Sequence, residues 1–308
     1  MDFNSPRAVL NAYRDGFQGS VCDPEETAEL LGKLKTPLFG AAAYQLSGAG
    51  EGKLSLPFKS LLKFDSGFGP AERQTTGDCV SHSTRNAIDV TRAVEIDIKG
   101  ESEEFRNRSA TEAIYQSRGH KRQGMTCSGA AKYVNDKGGV LLRKDYGSVD
   151  LSKYNSSLGA NHKIPKSIYI DEAHKHPVQT ISMITTVQEA RDALANGYGI
   201  SVCSGYGFSS RRDSKGIAKR SGSWAHAMAW IACDDTRKRH NELLFLVQNS
   251  WGKWNSGPRV HDQPEGSFWI REKDARGMLA GNWGSWVFSN VDGFPARKLP
   301  NYNFTKFL

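Results

Sequence analysis

The sequence predicts an α+β fold of two lobes, a helical first lobe and a second lobe built on an antiparallel sheet or barrel, with a cleft between them. Three observations carry this. Between residues 78 and 94 the apolar positions Val80, Ala87, Val90 and Val94 recur at helical spacing. After Gly199 the periodicity switches to short apolar or alternating runs separated by polar turns, as antiparallel strands require. Finally, 308 residues with 38% hydrophobic and 24% charged composition are enough for one large domain or two lobes around a buried core, and too apolar for a disordered chain.

The elements follow in order. Residues 6–17 and 24–34 read as short helices, the second opened by Asp23 as N-cap with Glu25 and Glu26 in its first turn. Ser47-Gly48-Ala49-Gly50-Glu51-Gly52 reads as a flexible break. The chain therefore divides into an N-terminal appendage or pro-like segment over 1–53, a main domain over 54–290 and a tail over 291–308. Asp78 is positioned to cap the helix that begins at Cys79, which places this thiol where the helix dipole and free N–H groups favour an anion. Residues 109–117 and 129–137 suggest further short helices, and Thr186-Val187-Gln188-Glu189 is a capping box for another that ends near Asn196-Gly197. Strands are expected over 200–203, 227–232, 243–248 and 267–270.

Within this frame three stretches bring a cysteine, a histidine and an asparagine into one order: Gly77-Asp78-Cys79, Trp224-Ala225-His226-Ala227 and Gln248-Asn249-Ser250-Trp251-Gly252. A thiol acts as a nucleophile only when ionised, so it needs an imidazole to take its proton and a polar group to orient that imidazole. Cys79, His226 and Asn249 fit those roles. Cys79 or His226 alone would read as an ordinary buried side chain; their joint placement decides against it. Cys79 and His82, three apart on a helix, lack a second ligand pair, so no metal is expected.

This arrangement resembles the papain-like cysteine peptidases. Asn249-Ser250-Trp251-Gly252 repeats their Asn-Ser-Trp-Gly, in which the tryptophan covers the Asn–His hydrogen bond. Gln74 stands where the family has an oxyanion-hole glutamine. Cys127-Ser128-Gly129-Ala130 is similar to the Cys-x-Gly-Gly whose glycine backbone pairs with extended substrate, which makes Gly129 and Ala130 the expected substrate contacts, with Trp251 beside them. Residues 199–202 and 266–270 resemble two strands of the same family. The resemblance implies peptide-bond hydrolysis through a thioester, a peptide or protein substrate and no cofactor. Cys79 would attack, its N–H and the Gln74 amide would hold the oxyanion, and His226, oriented by Asn249, would move the proton. A catalytically weak structural or binding component of a larger assembly, such as a phage virion, is the alternative.

The departures are specific. The family reads Cys-Gly-Ser/Ala-Cys-Trp/Tyr around its nucleophile, and this chain reads Thr76-Gly77-Asp78-Cys79-Val80. Gln74 lies one residue nearer Cys79 than the family places it. His226 follows Cys79 by 226 − 79 = 147 residues and Asn249 by 249 − 79 = 170, against about 130–150 in the papain type. A longer loop over 211–223 or 236–241 would absorb the excess.

Five scattered cysteines without a Cys-x-x-Cys pair predict neither a disulfide framework nor a zinc ribbon, and losing the family's first cysteine leaves Cys127 without its usual partner. With no apolar run long enough to cross a bilayer and no signal-like start, the expectation is a cytoplasmic or virion-associated protein without membrane contact. The net charge of +8 gathers at residues 118–122, 211–220 and 237–239. These runs lack a nucleic-acid motif or a stacking aromatic array, so they read as solvated loops and nucleic acid is not an expected partner. Residues 1–7 and 300–308 lack apolar periodicity, which suggests neighbours in an assembly that order them.

Overall fold

The computed structural model describes residues 19–68, 72–101 and 104–299. The helix expected over 6–17 and the two chain ends lie outside them. Local signals place most helices. The Asp23 side chain accepts the Glu26 N–H at 2.9 Å and Pro24 opens α1 (Pro24–Lys33), the chemistry of an N-terminus. Short helices α2 (Phe39–Ala42) and α3 (Phe58–Phe64) precede α4 (Cys79–Lys99), which closes on Gly100 at φ 77°, a left-handed cap that glycine adopts freely. Then come α5 (Thr111–Gln116), α6 (Cys127–Lys137), α7 (Ser156–Ala160), α8 (Lys166–Glu172), α9 (Val187–Ala195) and α10 (Glu272–Ala280). The capping box before α9 forms as read, with Thr186 and Glu189 each bonded to the other's backbone.

The strands are β1 (Ser20–Val21), β2 (Leu54–Ser55), β3 (Met125–Thr126), β4 (Thr180–Met183), β5 (Ile200–Arg212), β6 (Ala218–Asp234), β7 (Leu244–Gln248), β8 (Ser267–Arg271) and β9 (Ser285–Ser289). β1 and β3 pair in parallel. The others form an antiparallel sheet in the order β4-β9-β5-β6-β7-β8, with β2 added beside β6. This path does not close, so the barrel alternative is corrected to an open sheet. The stretch 211–220 is not a solvated loop either: β5 and β6 extend into it as a hairpin, with Arg212, Ile217 and Ala218 buried.

Helix α4 lies between the first lobe and this sheet, and every residue from Cys79 to Ile96 is buried. The stripe of Val80, Ala87, Val90 and Val94 packs as read. Its opposite, polar face escapes solvent because its charges are matched: Asp89 receives Arg108 Nε at 2.7 Å and the Ser109 hydroxyl at 2.6 Å, and Arg85 meets Glu72 at 2.8 Å.

Two expectations from the N-terminal half need correcting. Residues 47–52 are held down rather than loose, since Gly48 and Gly50 donate to the Asp192 carboxylate and Gly52 to Asp235. Leu30, Phe39, Ala43 and Leu46 are buried, with the last three in one cluster with the sheet, so residues 30–46 are anchored on the core through these side chains. The cysteines also differ from expectation. Cys127, at the start of α6, is disulfide-bonded to Cys203 on β5, leaving Cys22, Cys79 and Cys233 free. That bond ties the helical lobe to the sheet.

Candidate active site

Cys79 opens α4, His226 sits on β6 and Asn249 follows β7 directly. Antiparallel pairing of β6 with β7, Ala229 opposite Gln248, brings the last two together. His226 Nε2 lies 2.8 Å from Asn249 Oδ1. The Ser250 N–H donates to the same Oδ1 at 2.7 Å, which identifies that atom as the acceptor, places the proton on Nε2 and leaves Nδ1 as the basic nitrogen. Trp251 packs over the imidazole with ring centroids 4.6 Å apart, and Trp224 closes the other edge at 6.3 Å. Cys79 is reached from the same strand: the backbone of Ala227, the residue after His226, hydrogen-bonds to its thiol.

Gln74 joins this group through Ser250, whose backbone carbonyl accepts the Gln74 N–H at 2.9 Å. The Ser250 hydroxyl donates to Gln74 Oε1 at 2.5 Å, and Gln74 Nε2 donates to the Thr76 carbonyl at 2.8 Å. The amide is thus oriented at both ends with one N–H uncommitted by those bonds. Ser250 was read only as part of its motif, and its hold on Gln74 had no signal in the spacing.

The substrate contacts expected at Gly129 and Ala130 are corrected. Both lie in α6, where Thr126 caps the Gly129 N–H at 2.8 Å and Ala130 is fully buried, so neither presents an extended edge. The extended edge is Met125–Thr126, which ends three residues before Gly129, and it is taken by Ser20–Val21. Gly129 instead lines, with Val21, Met125 and Thr126, a cavity of about 890 Å³. A second cavity, of about 770 Å³, lies by Thr75, Tyr154 and Ser156.

Gly19, the residue before the strand on that edge, lies against the nucleophile. A Cβ placed on Gly19 would come 2.3 Å from Cys79 Sγ. Cys79 is 0% exposed, and His226, packed against Trp251 and Trp224, is 1% exposed. Burial above all, then the Asp78 carboxylate, pushes the thiol up to about 12 against the pull of backbone hydrogen bonds from Ala227, Val80 and Cys79. Burial likewise lowers His226 to about 4, with His82 adding to it and Asn249 opposing. In this closed arrangement thiol and imidazole are both neutral.

Asp78 does not cap α4 through its side chain. It accepts the Tyr154 hydroxyl at 2.7 Å and faces His82 Nε2 at 3.6 Å, while the Thr75 N–H donates to the Tyr154 oxygen. Tyr154 therefore pins the loop between Gln74 and Cys79, a role invisible in sequence because 76 residues separate it from Asp78. No group of three His, Cys, Asp or Glu side chains among the described residues is placed to hold a metal.

No family model and no curated protein matches the chain by sequence. Solved structures do match. The cysteine protease and lectin-like domains of Cwp84, a surface layer associated protein of Clostridium difficile, align with a TM-score of 0.50 at 16% identity, over 73% of this chain and 49% of that one. The fold is papain-like. Xylellain, a cysteine protease from Xylella fastidiosa, aligns at 0.49 and 18% identity over 72% of this chain and 83% of its own. Procathepsin L2 from the Tenebrio molitor larval midgut gives 0.44 and 15% over 71% and 64%. The aligned region is less than two thirds of both the Cwp84 and procathepsin chains. In this papain-like fold the helix start bearing Cys79 faces strand β6 bearing His226, across the junction between helical lobe and sheet.

Proposed function

We propose that the chain is a cysteine peptidase acting through a thioester. The observation that carries this is the 2.8 Å contact of His226 with Asn249 on the strand whose next residue touches the Cys79 thiol. Once the site opens, Nδ1 of His226 takes the Cys79 proton and the thiolate adds to a peptide carbonyl. The Cys79 N–H and the free Gln74 N–H hold the oxyanion. Collapse expels the amine, which carries away the proton from His226, and water activated by the same imidazole releases the acid.

The covered thiol also supports a second reading, in which the fold serves as a binding component with weak or no turnover. The test is cleavage of a denatured protein and a fluorogenic peptide library by the wild-type chain, Gly19→Ala and Cys79→Ser, with products read by mass spectrometry. Cleavage by Gly19→Ala that Cys79→Ser lacks supports the peptidase. No cleavage by any of the three, while an epoxide still labels Cys79 in Gly19→Ala, supports the binding component.

A further inference from the structure

The tip of the β5–β6 hairpin lines a third cavity, to which Cys79, His226 and Asn249 do not contribute. Together with the start of α10 it encloses about 690 Å³, a volume suited to a small ligand. Six cations line it: Arg211, Arg212, Lys219, Arg220, Arg271 and Lys273. The carboxylates on the same wall are Asp213 and Asp274. Asp213 is spent on its own turn, accepting the Lys215 and Ile217 N–H groups, and Asp274 is buried, one carboxylate shared at a distance by Lys273, Arg220 and Arg271. Only Arg271 is ion-paired, to Glu242 at 2.5 Å. The other five cations form no ion pair among the described residues.

Arg212 is the informative member. It is 6% exposed, yet its guanidinium meets only neutral acceptors: Asn255 Oδ1 at 2.9 Å and the carbonyls of Ser267 and Gly257 at 2.7 Å each. Its Nε has no partner. Of the charges that reach it, the Arg259 repulsion outweighs the Glu265 attraction, and an anion entering the cavity would relieve that imbalance. Arg220 lies over the Tyr206 ring at 3.9 Å, which restrains a second guanidinium at the wall.

We propose that this cavity binds a compact polyanion of phosphate chemistry. Four of the six cations are arginines, whose planar forks match phosphate oxygens. The site is concave rather than a long stripe, and its aromatic ring is already covered by Arg220, so neither a polymer track nor a base-stacking platform is presented.

Calorimetric titration of the full chain with sodium tripolyphosphate, at fixed ionic strength, tests this. Saturable binding is expected, weakened about tenfold or more in the double variant Lys219→Gln/Lys273→Gln through loss of charge-assisted contacts. Both side chains are exposed, and an unchanged melting temperature shows that the variant folds. The double variant Lys153→Gln/Lys163→Gln, an equal charge loss elsewhere, should leave affinity unchanged. No saturable binding, equal weakening in both double variants, or binding of single-stranded DNA without binding of tripolyphosphate would each overturn the proposal.

Discussion

Replacing Gly19 by alanine probes the closed site most directly. The added methyl would stand 2.3 Å from Cys79 Sγ and 3.3 Å from both Cys79 Cβ and the Gly77 carbonyl oxygen, about an ångström inside ordinary contact with the sulfur. The covering segment is held lightly: its pairing with β3 spans two residues, and the Met125 N–H reaches the Gly19 carbonyl at 3.4 Å. One such bond is worth about 0.5–1.5 kcal/mol, less than the overlap costs, so the segment should lift. Burial is the main reason that the thiol stands at about 12, so exposure returns it toward 9.0. At pH 7.5 the thiolate fraction then rises about 10³-fold. A less basic thiolate is a weaker nucleophile, by about 10^1.5 over that range. Alkylation of Cys79 by iodoacetamide should therefore quicken about 30-fold or more, before easier access is counted. Mass spectrometry of Cys79 gives the rate, with exposed Cys22 and buried Cys233 in the same chain as internal references. A rise of less than threefold, or an equal rise at Cys233, would refute the reasoning.

Other outcomes follow from the same geometry. His226 is buried neutral at about 4 against 6.5 for the free imidazole, so its contribution to stability is complete above pH 6.5 and is lost as pH falls toward 4. Urea unfolding should show about 3 kcal/mol of acid destabilisation that His226→Gln lacks; equal acid loss in the variant would contradict the burial. Gln74→Ala should cut turnover by about 10²–10³ while leaving Cys79 alkylation of the opened Gly19→Ala form intact. Ser250→Ala should cut it less, through misorientation of Gln74, with Ser250→Thr restoring the rate. Cys203→Ala opens a bond between residues 76 apart and should lower unfolding free energy by about 4 kcal/mol in the loop-entropy picture, whereas Cys22→Ala should change it little.

Features with a local cause were legible in the sequence. The start of α4 at Cys79, the cap at Asp23, the capping box at Thr186 and the four apolar strand runs depend on neighbours a few residues away. The order of Cys79, His226 and Asn249 was legible because each sits in a short motif. What depends on distant pairing was not. The Cys127–Cys203 bond has no spacing rule, and the covering of Cys79 by Gly19 joins segments that no local pattern links. Strands β4 and β9 were not read either, and they are fixed by pairing with each other from distant parts of the chain. The burial of Arg85, Asp89 and Arg92 had no local signal, because Glu72 and Arg108, which pair with Arg85 and Asp89, lie outside the helix. Gly129 misled because a similar motif here begins a helix, so the extended edge ends three residues before it.

The β5–β6 hairpin divides into two unequal halves. From Ile200 opposite Trp230 to Ser204 opposite His226 the pairing keeps one unbroken register, and beyond it three irregularities follow before Arg212 meets Ala218. Side chains alternate along a strand, so one residue gained or lost in the inner half would turn His226 to the opposite face of the sheet. The outer half already contains the bulges that absorb such changes. Insertions and deletions there can be tolerated in evolution or engineering while His226 keeps its facing, which makes the outer hairpin the place where this chain can acquire length without losing its histidine.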